Sequence, residues 1–503
     1  MRRDRKYLLL AMLAALTLSV LGSAAYVDAQ QQHTVVVAFG VDPFSLNPQH
    51  DATTWITSIH LALFDPLVSM NDKLEVEPGI AESWKAITPE VWEFKLRKDV
   101  KFHDGTEVTA DDVKFTMDRI TDRRVESVWW SRMRWLAETK VIDRYTVRIR
   151  TEPAYAPALR SLTNMAPILP KVAFDRLGAE RFGQSPVGNG PYKFVEWVKN
   201  DRVVLRANDQ YWGGRPKVDR LVFRTIPDEF TRVAELRTGG IDIATNLSPT
   251  RADELRGAPN VRIATVRSLR HLFIGMDMKR KPFDDVRVRR ALNHAVNVDE
   301  LIKVVLNGHA YRNPSPVPGL AFGYSSEITT YEYNPQKARQ LLAEAGIQQG
   351  TTLVLEAPRG RYLADKELAE AIAGYLEAVG LKVDLRIQEW GTYWPKYLAK
   401  KMEGLYMVGC GAATADADMC LDLHLHTDGR GAWYGHGYPE LDAMLVRAKT
   451  AADPKVRMDL YARIQKAVTE RAPWIFLFDF EDVYGVRKGL NWKPRPDERV
   501  AVQ

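Results

Sequence analysis

The chain has 503 residues, of which 46% are hydrophobic and 27% charged, and its formal net charge is +6. This length exceeds what one compact core accommodates, so we expect two or three domains with an ordinary globular composition. Part of the positive charge lies in residues 1–29 and the rest forms no basic block, so the charge gives no case for a nucleic-acid partner.

The N-terminus is organised like a secretory signal peptide. A basic head (MRRDRK) precedes a 15-residue apolar run over residues 7–21, and small residues follow at 22–25. The alternative is a membrane anchor, but the run is shorter than the roughly 20 residues that span a bilayer. No cysteine follows the run to carry a lipid. We therefore expect residues 1–29 to be a signal peptide and the mature protein to be a soluble, periplasmic protein without a lipid anchor.

Two cysteines, Cys410 and Cys420, are the only ones in the sequence. A pair of cysteines in an exported protein can form a disulfide, since that compartment is oxidising. Two free, buried thiols are the alternative. Neither interpretation implies catalysis.

The mature chain alternates predicted strands and helices. The β-branched run at 34–39 indicates a strand, and the alternating pattern at 92–96 indicates another. Thr109, with Asp112 three residues later, predicts a capped helix start. Further strands are expected at 203–205, 221–226, 271–276 and 382–387, and further helices at 230–238, from 285 and over 365–380. Such alternation in separated blocks favours α/β lobes over bundles or sandwiches.

Residues 407–428 (MVGCGAATADADMCLDLHLHTD) form the most distinctive stretch. It combines both cysteines with these carboxylates and imidazoles: Asp416, Asp418, Asp422, Asp428, His424 and His426. Aromatic residues flank it on both sides: Trp390, Tyr393, Trp394 and Tyr397 before it, Trp433 and Tyr434 after it. Small, acidic side chains are costly to bury without partners. We interpret the stretch as a polar loop between the aromatic walls of a ligand cleft.

Several segments in order resemble the extracytoplasmic solute-binding proteins of ABC transporters of the peptide/nickel type (family 5). Residues 102–113 (FHDGTEVTADDV) are similar to the family's FHDG…TAEDV element, and 187–192 (VGNGPY) to its GTGPY turn. Residues 208–228 (NDQYWGGRPKVDRLVFRTIPD) are close to its most recognisable run. The likeness continues in LRTGGIDIA (236–244), PFDDVRVRRA (282–291) and NPQKARQLLAEAG (334–346). It spans essentially the whole mature chain.

The resemblance implies an α/β fold with two lobes, a hinge and a central cleft, plus an extra domain inserted in the first lobe. The expected divisions are a signal peptide (1–29), lobe I (30–70, 187–270 and 485–503), its extra domain (71–186) and lobe II (271–484). The chain would cross between the lobes at 271–277 and return at 476–484. A hinged receptor of this kind closes on its ligand.

The family's peptide-binding pattern, GW-G-A-D-Y-P-D-P-D, lies over residues 409–418. Its first aspartate holds the ligand's α-ammonium in peptide-binding members, and this sequence has Ala413 there. A desolvated ammonium needs a paired carboxylate. The resemblance therefore implies that the usual amine pocket is absent, unless Asp416 or Asp418 replaces it from a shifted position.

An arginine for the ligand's carboxylate is expected between the strand that ends near residue 358 and the helix from 365. Similar loops in dipeptide-type members supply such an arginine, and Arg359 or Arg361 would suit the role. The alternative is two solvated loop arginines. Aromatic contacts are expected from Tyr362, Trp390, Tyr393, Trp394, Trp433 and, on the facing wall, Trp55, although most of these could instead belong to the core.

A metal site is a weaker hypothesis. His424 and His426 would share one face of a strand, and Asp422 and Asp428 could complete a shell for a divalent metal, but the pattern is no recognised metal-site spacing. No cofactor is expected. No GxSxG, HExxH, Walker or GxGxxG motif is present in a suitable context, so the chain is not expected to be an enzyme.

The function predicted from the sequence is capture of a peptide-like or other small, anionic organic solute in the periplasm and its delivery to ABC permease membrane subunits. The protein is expected to be a monomer. The first alternative is a receptor for a metal ion or metal chelate. A second alternative, from another class, is a chaperone-like or signalling binder that has lost transport.

Overall fold

The structure is a computed structural model that describes residues 33–51, 53–329 and 331–502. The predicted signal peptide lies outside these residues. Within the described ranges, none of the helices combines the length and the apolar character that crossing a membrane requires.

One large mixed sheet runs through the molecule, in the order β15-β14-β16-β12-β17-β11-β1-β10-β9-β8, with β13 also paired to β17. Its strands are β1 (Thr34–Phe39), β8 (Tyr192–Val198), β9 (Arg202–Ala207), β10 (Arg220–Thr225), β11 (Ile243–Ala244), β12 (Val261–Met276), β13 (Ala310–Arg312), β14 (Thr352–Arg359), β15 (Lys382–Glu389), β16 (Leu405–Gly411) and β17 (Trp474–Arg487). Two smaller sheets hold β2 (Val68–Met70) with β3 (Val76–Pro78), and β4 (Ala81–Thr88), β5 (Val91–Leu96), β6 (Leu136–Asp143) and β7 (Thr146–Thr151).

Helices cover the sheets and fill the connections between strands. They are α1 (Ile56–Leu63), α2 (Ala110–Thr121), α3 (Ala158–Leu162), α4 (Lys171–Leu177), α5 (Ala179–Gln184), α6 (Glu229–Thr238), α7 (Pro249–Leu255), α8 (Val286–Ala295), α9 (Val298–Glu300), α10 (Pro335–Glu344), α11 (Asp365–Ala378), α12 (Trp390–Leu398), α13 (Asp418–Leu425), α14 (Pro439–Thr450) and α15 (Pro454–Arg471). Short helical turns occur at Arg123–Val125, Trp130–Arg132, Leu301–Val305 and Arg430–Tyr434.

The long antiparallel strands β12 and β17 connect the two lobes of this α/β fold. Their pairing runs from Val261 opposite Arg487 to Gly275 opposite Trp474, with an irregularity between Arg267 and His271. On one side lie β11, β1, β10, β9 and β8, which we call lobe I; on the other lie β16, β14 and β15, which we call lobe II. The predicted α/β, two-lobed fold is confirmed.

The four-stranded sheet β4-β5-β7-β6 builds its own hydrophobic core, around residues such as Phe94, Val113 and Ile149. It is joined to lobe I by backbone contacts, among them the bond from the His103 N–H to the Gly188 carbonyl, 2.7 Å. We call it the four-stranded unit. The domain boundaries given above, including 71–186 for an extra domain, stay predictions.

Local signals in the sequence correspond well to the observed elements. The Asp112 carboxylate accepts a hydrogen bond of 2.9 Å from the Thr109 N–H at the start of α2, as a capping box requires. Helix α6 ends at Gly239, whose φ of +83° is left-handed. The strand expected at 271–276 is longer, because β12 begins at Val261.

Candidate functional site

The stretch 407–428 is not the polar loop that its composition predicts. Its first part lies in β16 and its second part forms α13, and most of its residues are buried. The prediction of a solvated loop between aromatic walls is therefore wrong. The composition was misleading because three of the carboxylates, Asp416, Asp418 and Asp422, have partners elsewhere in the chain.

Asp416 is fully buried and paired with a cation. Both of its oxygens accept hydrogen bonds from Arg457 Nη2, at 2.9 and 2.8 Å, and the Tyr461 hydroxyl donates to it at 3.2 Å. Arg457 comes from α15, 41 residues further along the chain. This carboxylate is occupied by a structural partner, so we leave it out of the proposed ligand contacts.

Asp418 and Asp422 also have hydrogen-bonding or ion-pair partners within the fold. The Tyr155 hydroxyl donates to Asp418 Oδ2 at 2.6 Å, and Lys449 forms an ion pair with Asp422. Burial, with Asp422 nearby, raises the pKa of Asp418 to about 7. Neither carboxylate lies free to replace the aspartate that is missing at Ala413.

Cys410 and Cys420 form a disulfide. It joins the end of β16 to the first turn of α13, and both residues are buried in the core of lobe II. The role of this bond is structural, since neither sulfur is free to react.

The two histidines do not share a face of a strand, so that expectation is corrected. His424 lies in the last turn of α13 and His426 directly after it, and residues two apart on a helix point in different directions. Burial, together with the nearby His436, lowers the pKa of His424 to about 3. In the described ranges, no three His, Cys, Asp or Glu side chains are placed to hold a metal ion together.

The predicted aromatic residues separate into two groups. Tyr393 has no exposed surface, and its hydroxyl donates to the Met407 carbonyl at 2.7 Å, which makes it a core residue. Trp433 is partly buried and packs against Tyr397 and Lys400. Trp390 and Trp394 stack on each other with their ring centroids 5.0 Å apart.

An arginine stands at each end of this tryptophan pair. The Arg361 guanidinium lies 5.6 Å from the Trp390 ring centroid, and the Arg430 guanidinium lies 5.5 Å from that of Trp394. Neither side chain has an ion pair with a residue that the structure describes. Burial, with Arg270 nearby, lowers the pKa of Arg361, and burial lowers that of Arg430. Both guanidiniums lie beside a flat aromatic surface without a direct ion pair, and the charges of Glu498 and Asp482 are near Arg361.

Arg359 and Arg361 belong to one loop but have different surroundings. Arg359 is exposed and forms an ion pair with Glu389, its neighbour on β15. Arg361 instead points over the Tyr362 ring, 5.1 Å from its centroid. Tyr362 is held in place by the Gly409 N–H, which donates to its hydroxyl at 2.9 Å.

Arg361 lines a small cavity at the boundary between the lobes. The cavity has a volume of about 30 Å³, and its walls include Arg270, Tyr362, Phe480, Asp482 and Glu498. Tyr362 comes from lobe II, Asp482 from β17, and Glu498 from the C-terminal segment that packs on lobe I. A cavity of this size holds one or two water molecules, so a larger solute enters only if the lobes separate.

The floor of the cavity is a network of charges. Arg270 donates to both oxygens of Glu498, at 2.6 and 3.0 Å, and to the Thr54 hydroxyl at 3.1 Å. Trp55, the next residue after Thr54, packs against Phe39 in lobe I with 5.4 Å between ring centroids. Trp55, which the sequence predicts for the facing wall of the cleft, therefore lies next to this network of charges.

Sequence reasoning missed Arg270, Asp482 and Glu498. Arg270 and Asp482 lie in the middle of long strands, and Glu498 lies near the end of the chain. No local motif marks them, because they meet only through the pairing of β12 with β17 and the return of the C-terminus. Arg430 was also missed; its position just before Trp433 was the only available signal.

A larger, open depression of about 480 Å³ lies at the outer end of lobe I. Residues around Arg237, Asn260 and Lys488 line it. It lies beyond the last residues of the β12–β17 pair and includes none of the residues predicted to bind ligand, so it is not the candidate site.

The four-stranded unit touches lobe II in this structure. Besides the Tyr155–Asp418 hydrogen bond, the Ala156 N–H donates to the Lys449 carbonyl at 2.7 Å. We call these two bonds the interlobe contact.

The chain is similar to known proteins in sequence and in fold. The sequence model of the bacterial extracellular solute-binding proteins, family 5, matches residues 75–432. The glutathione-binding protein GsiB of Pectobacterium atrosepticum is 29% identical over 454 residues, covering 88% of each chain. GsiB of Escherichia coli K12 has the same identity and coverage.

Solved structures have the same fold. The ABC transporter-associated periplasmic binding protein DppA of Helicobacter pylori, in complex with the peptide STSA, superposes with a TM-score of 0.85 at 28% identity, covering 95% of this chain and 98% of its own. NikZ of Campylobacter jejuni, in complex with Ni(L-His), superposes with a TM-score of 0.84 at 23% identity, covering 93% and 97%.

Proposed function

The chain belongs to the bacterial extracellular solute-binding proteins of family 5, and we propose that it captures a peptide-like or other small, anionic organic solute and delivers it to an ABC permease. Of the proteins compared above, GsiB is a glutathione-binding protein, DppA was solved with a peptide and NikZ with a nickel–histidine complex. Binding of a small solute is what they have in common.

The observation that carries the anionic part of this proposal is the Arg361 guanidinium. It is partly buried, it lines the cavity between the lobes, and it forms no ion pair with any residue in the described ranges. Burying a guanidinium whose N–H groups bind no described carboxylate directly is costly, and a carboxylate of a solute can accept two of them in a bidentate manner. We propose that Arg361 holds a carboxylate of the solute.

The aromatic surface beside Arg361 is the proposed wall for the rest of the solute. Trp390 and Trp394 are partly exposed and stacked, so an amide or other flat group can lie on them. Tyr362 completes the wall next to the cavity, and Trp55 is proposed for the opposite side. Arg359 is not included, since Glu389 already pairs with it.

We further propose that the protein reaches the periplasm through the signal peptide at residues 1–29 and acts there as a soluble monomer without a lipid anchor. The lobe boundaries proposed from the sequence fit a closing motion about β12 and β17. The partner would be the membrane subunits of a permease, which recognise the closed form.

Two matched variants test the proposal. Native mass spectrometry of the protein purified from periplasm, with metal analysis of the same sample, identifies the solute it retains.

Arg361→Gln should weaken the binding of that solute, measured by calorimetry, about 100-fold, because a charged hydrogen-bonded pair is lost. Arg359→Gln, in the same loop, should bind like the wild type. Equal affinities of the wild type, Arg361→Gln and Arg359→Gln for the solute would contradict the proposal. So would a retained metal chelate that places no carboxylate on Arg361, and that result would favour the nickel-type alternative.

A further inference from the structure

Arg132 and Arg430 are two half-buried arginines on opposite sides of the boundary between the four-stranded unit and lobe II. Arg132 ends a short helical turn of the unit, and Arg430 begins one in lobe II. The Arg132 guanidinium lies 5.6 Å from the Trp129 ring centroid, and that of Arg430 lies 5.5 Å from the Trp394 centroid. Neither guanidinium has a hydrogen bond or an ion pair with a residue that the structure describes.

Packing brings both arginines close to helix α13. Arg132 is flanked by residues of the core of the four-stranded unit, and Met419 of α13 packs against that same core. The turn that begins with Arg430 lies directly on the end of α13, since a Cβ atom on Gly431 would come within 1.8 Å of the His424 carbonyl oxygen. The two guanidiniums therefore meet where the unit and lobe II touch.

The charges at this place are all positive. Burial, followed by the charge of Arg430, lowers the pKa of Arg132 to about 10, and burial lowers the pKa of Arg430. No carboxylate of the described residues offsets either shift. After burial and the charge of His436, both arginines also contribute to the low pKa of His424, whose Nε2 is buried without a hydrogen-bond partner. An anion would relieve all three groups.

The cluster lies at the other end of the tryptophan pair from Arg361. Trp390 and Trp394 are stacked, with Arg361 beside the first ring and Arg430 beside the second. Carboxylates of the lobe boundary are near Arg361, whereas none contributes to the surroundings of Arg430. The two ends of the pair are therefore separate places for negative groups.

We propose that Arg132 and Arg430 form, beside His424, a second anion subsite that binds an acidic group of the solute at the end of the tryptophan pair opposite to Arg361. The inference rests on the proposed function and adds that the solute carries at least two acidic groups. A carboxylate, sulfate or phosphate group has enough oxygens to accept hydrogen bonds from both guanidiniums. Because the two arginines come from different sides of the boundary, the bound group would also join the four-stranded unit to lobe II.

Inorganic sulfate is the probe for this subsite, in protein freed of solute. Every protein carries Arg361→Gln, so that sulfate at that arginine does not contribute, and calorimetry is done at constant ionic strength. Adding Arg132→Gln or Arg430→Gln should weaken sulfate binding about tenfold or more, because a charged hydrogen bond is lost. Adding Arg134→Gln, which changes an exposed arginine two residues after Arg132, should not. Absence of sulfate binding, or equal binding by all four proteins, would overturn the inference.

Melting curves without sulfate show whether each variant is folded. A glutamine variant that is not folded is replaced by the matching lysine variant, Arg132→Lys or Arg430→Lys. Lysine keeps the charge but lacks the guanidinium fork, so sulfate should still bind more weakly than to the Arg134→Gln protein. Unchanged sulfate affinity in the lysine variant would then count against the subsite.

A second measurement distinguishes an acidic group of the solute from a free inorganic anion. The solute released from periplasmic protein is converted to its methyl esters, and mass spectrometry counts its acidic groups. We expect at least two. A single acidic group, together with sulfate binding at Arg132 and Arg430, would assign the subsite to a free anion and overturn the inference. The proposed function would then still stand, since it is judged by the effect of Arg361→Gln alone.

Discussion

Asp416 shows how a single long-range partner changes the meaning of a local sequence. A run of small residues and aspartates favours a solvated loop when read locally, yet Arg457 allows Asp416 to be fully buried. The sequence contains no signal for this pairing, because the two residues are 41 positions apart. Local composition could therefore not predict that Asp416 is buried against Arg457.

We predict that Asp416→Asn destabilises the protein and leaves the affinity of the folded fraction unchanged. Removing one partner of a buried ion pair leaves Arg457 without a counter-charge, which costs about 3–5 kcal/mol. Urea denaturation measures the loss. Asp459→Asn, which breaks an exposed pair with Arg463, should cost less than about 1 kcal/mol. A similarly small loss for Asp416→Asn would show that the buried pair is not needed.

His436 predicts a pH dependence of stability. Its Nε2–H donates to the Met276 carbonyl at 2.7 Å, and its Nδ1 accepts from the Trp474 indole at 3.1 Å, so the ring must be neutral. Burial accordingly lowers its pKa to about 4. The unfolded chain binds a proton near pH 6.5, whereas the folded chain binds it only near pH 4. This stabilisation is complete above pH 6.5 and is lost as the pH falls from 6.5 to 4.

The test compares wild type with His436→Gln, whose amide can make both hydrogen bonds without titrating. Between pH 7 and pH 5 the wild type should lose about 2 kcal/mol more unfolding free energy than the variant. His294→Gln, at a partly exposed position, should keep the wild-type dependence. Parallel curves for wild type and His436→Gln would contradict the assignment.

Elements with local signals were predicted well, and elements fixed by tertiary contacts were not. The capping box at Thr109, the end of α6 at Gly239 and the strand at 34–39 can all be read from a few neighbouring residues. Helix α13 has a weak apolar pattern and an alanine, Ala417, at its N-cap, so its sequence resembles a loop. It is held by the disulfide to β16 and by contacts with α14.

The disulfide should contribute to stability and not to binding. Closing a loop of about ten residues restricts the unfolded chain and is worth about 2–4 kcal/mol. The double variant Cys410→Ala/Cys420→Ala should therefore show that loss in guanidinium denaturation and bind solute with wild-type affinity at 25 °C. The wild type in reducing buffer is the matched comparison. A variant that is fully folded but no longer binds would mean that the bond positions the cleft.

The whole molecule is organised around the β12–β17 pair and the cleft beside it. The resemblance in the sequence predicted the two lobes, because family motifs are distributed along the entire chain. It could not predict the charged floor of the cleft, because Arg270, Asp482 and Glu498 converge only when both long strands and the C-terminus are in place. Arg361 was a candidate from the sequence and stays one, whereas no signal in the sequence marked Asp482.

The interlobe contact should favour the closed form. Tyr155→Phe removes the hydroxyl that donates to Asp418, a hydrogen bond to a carboxyl group worth about 1.5–3 kcal/mol. We expect the Kd of the retained solute to rise about tenfold, since a smaller share of molecules is closed. Small-angle scattering should show a larger radius of gyration. Tyr145→Phe, whose hydroxyl bonds to Glu107 within the four-stranded unit, should change neither quantity.

The interlobe contact also makes the protein suitable as a fluorescent sensor. Ala156 and Lys449 are hydrogen-bonded to each other in this structure and would separate if the cleft opened, and both cysteines of the chain are already joined to each other. A cysteine introduced at position 449 would be the only thiol available for an environment-sensitive dye. Its emission would then report the concentration of the solute in real time, before the identity of that solute is known.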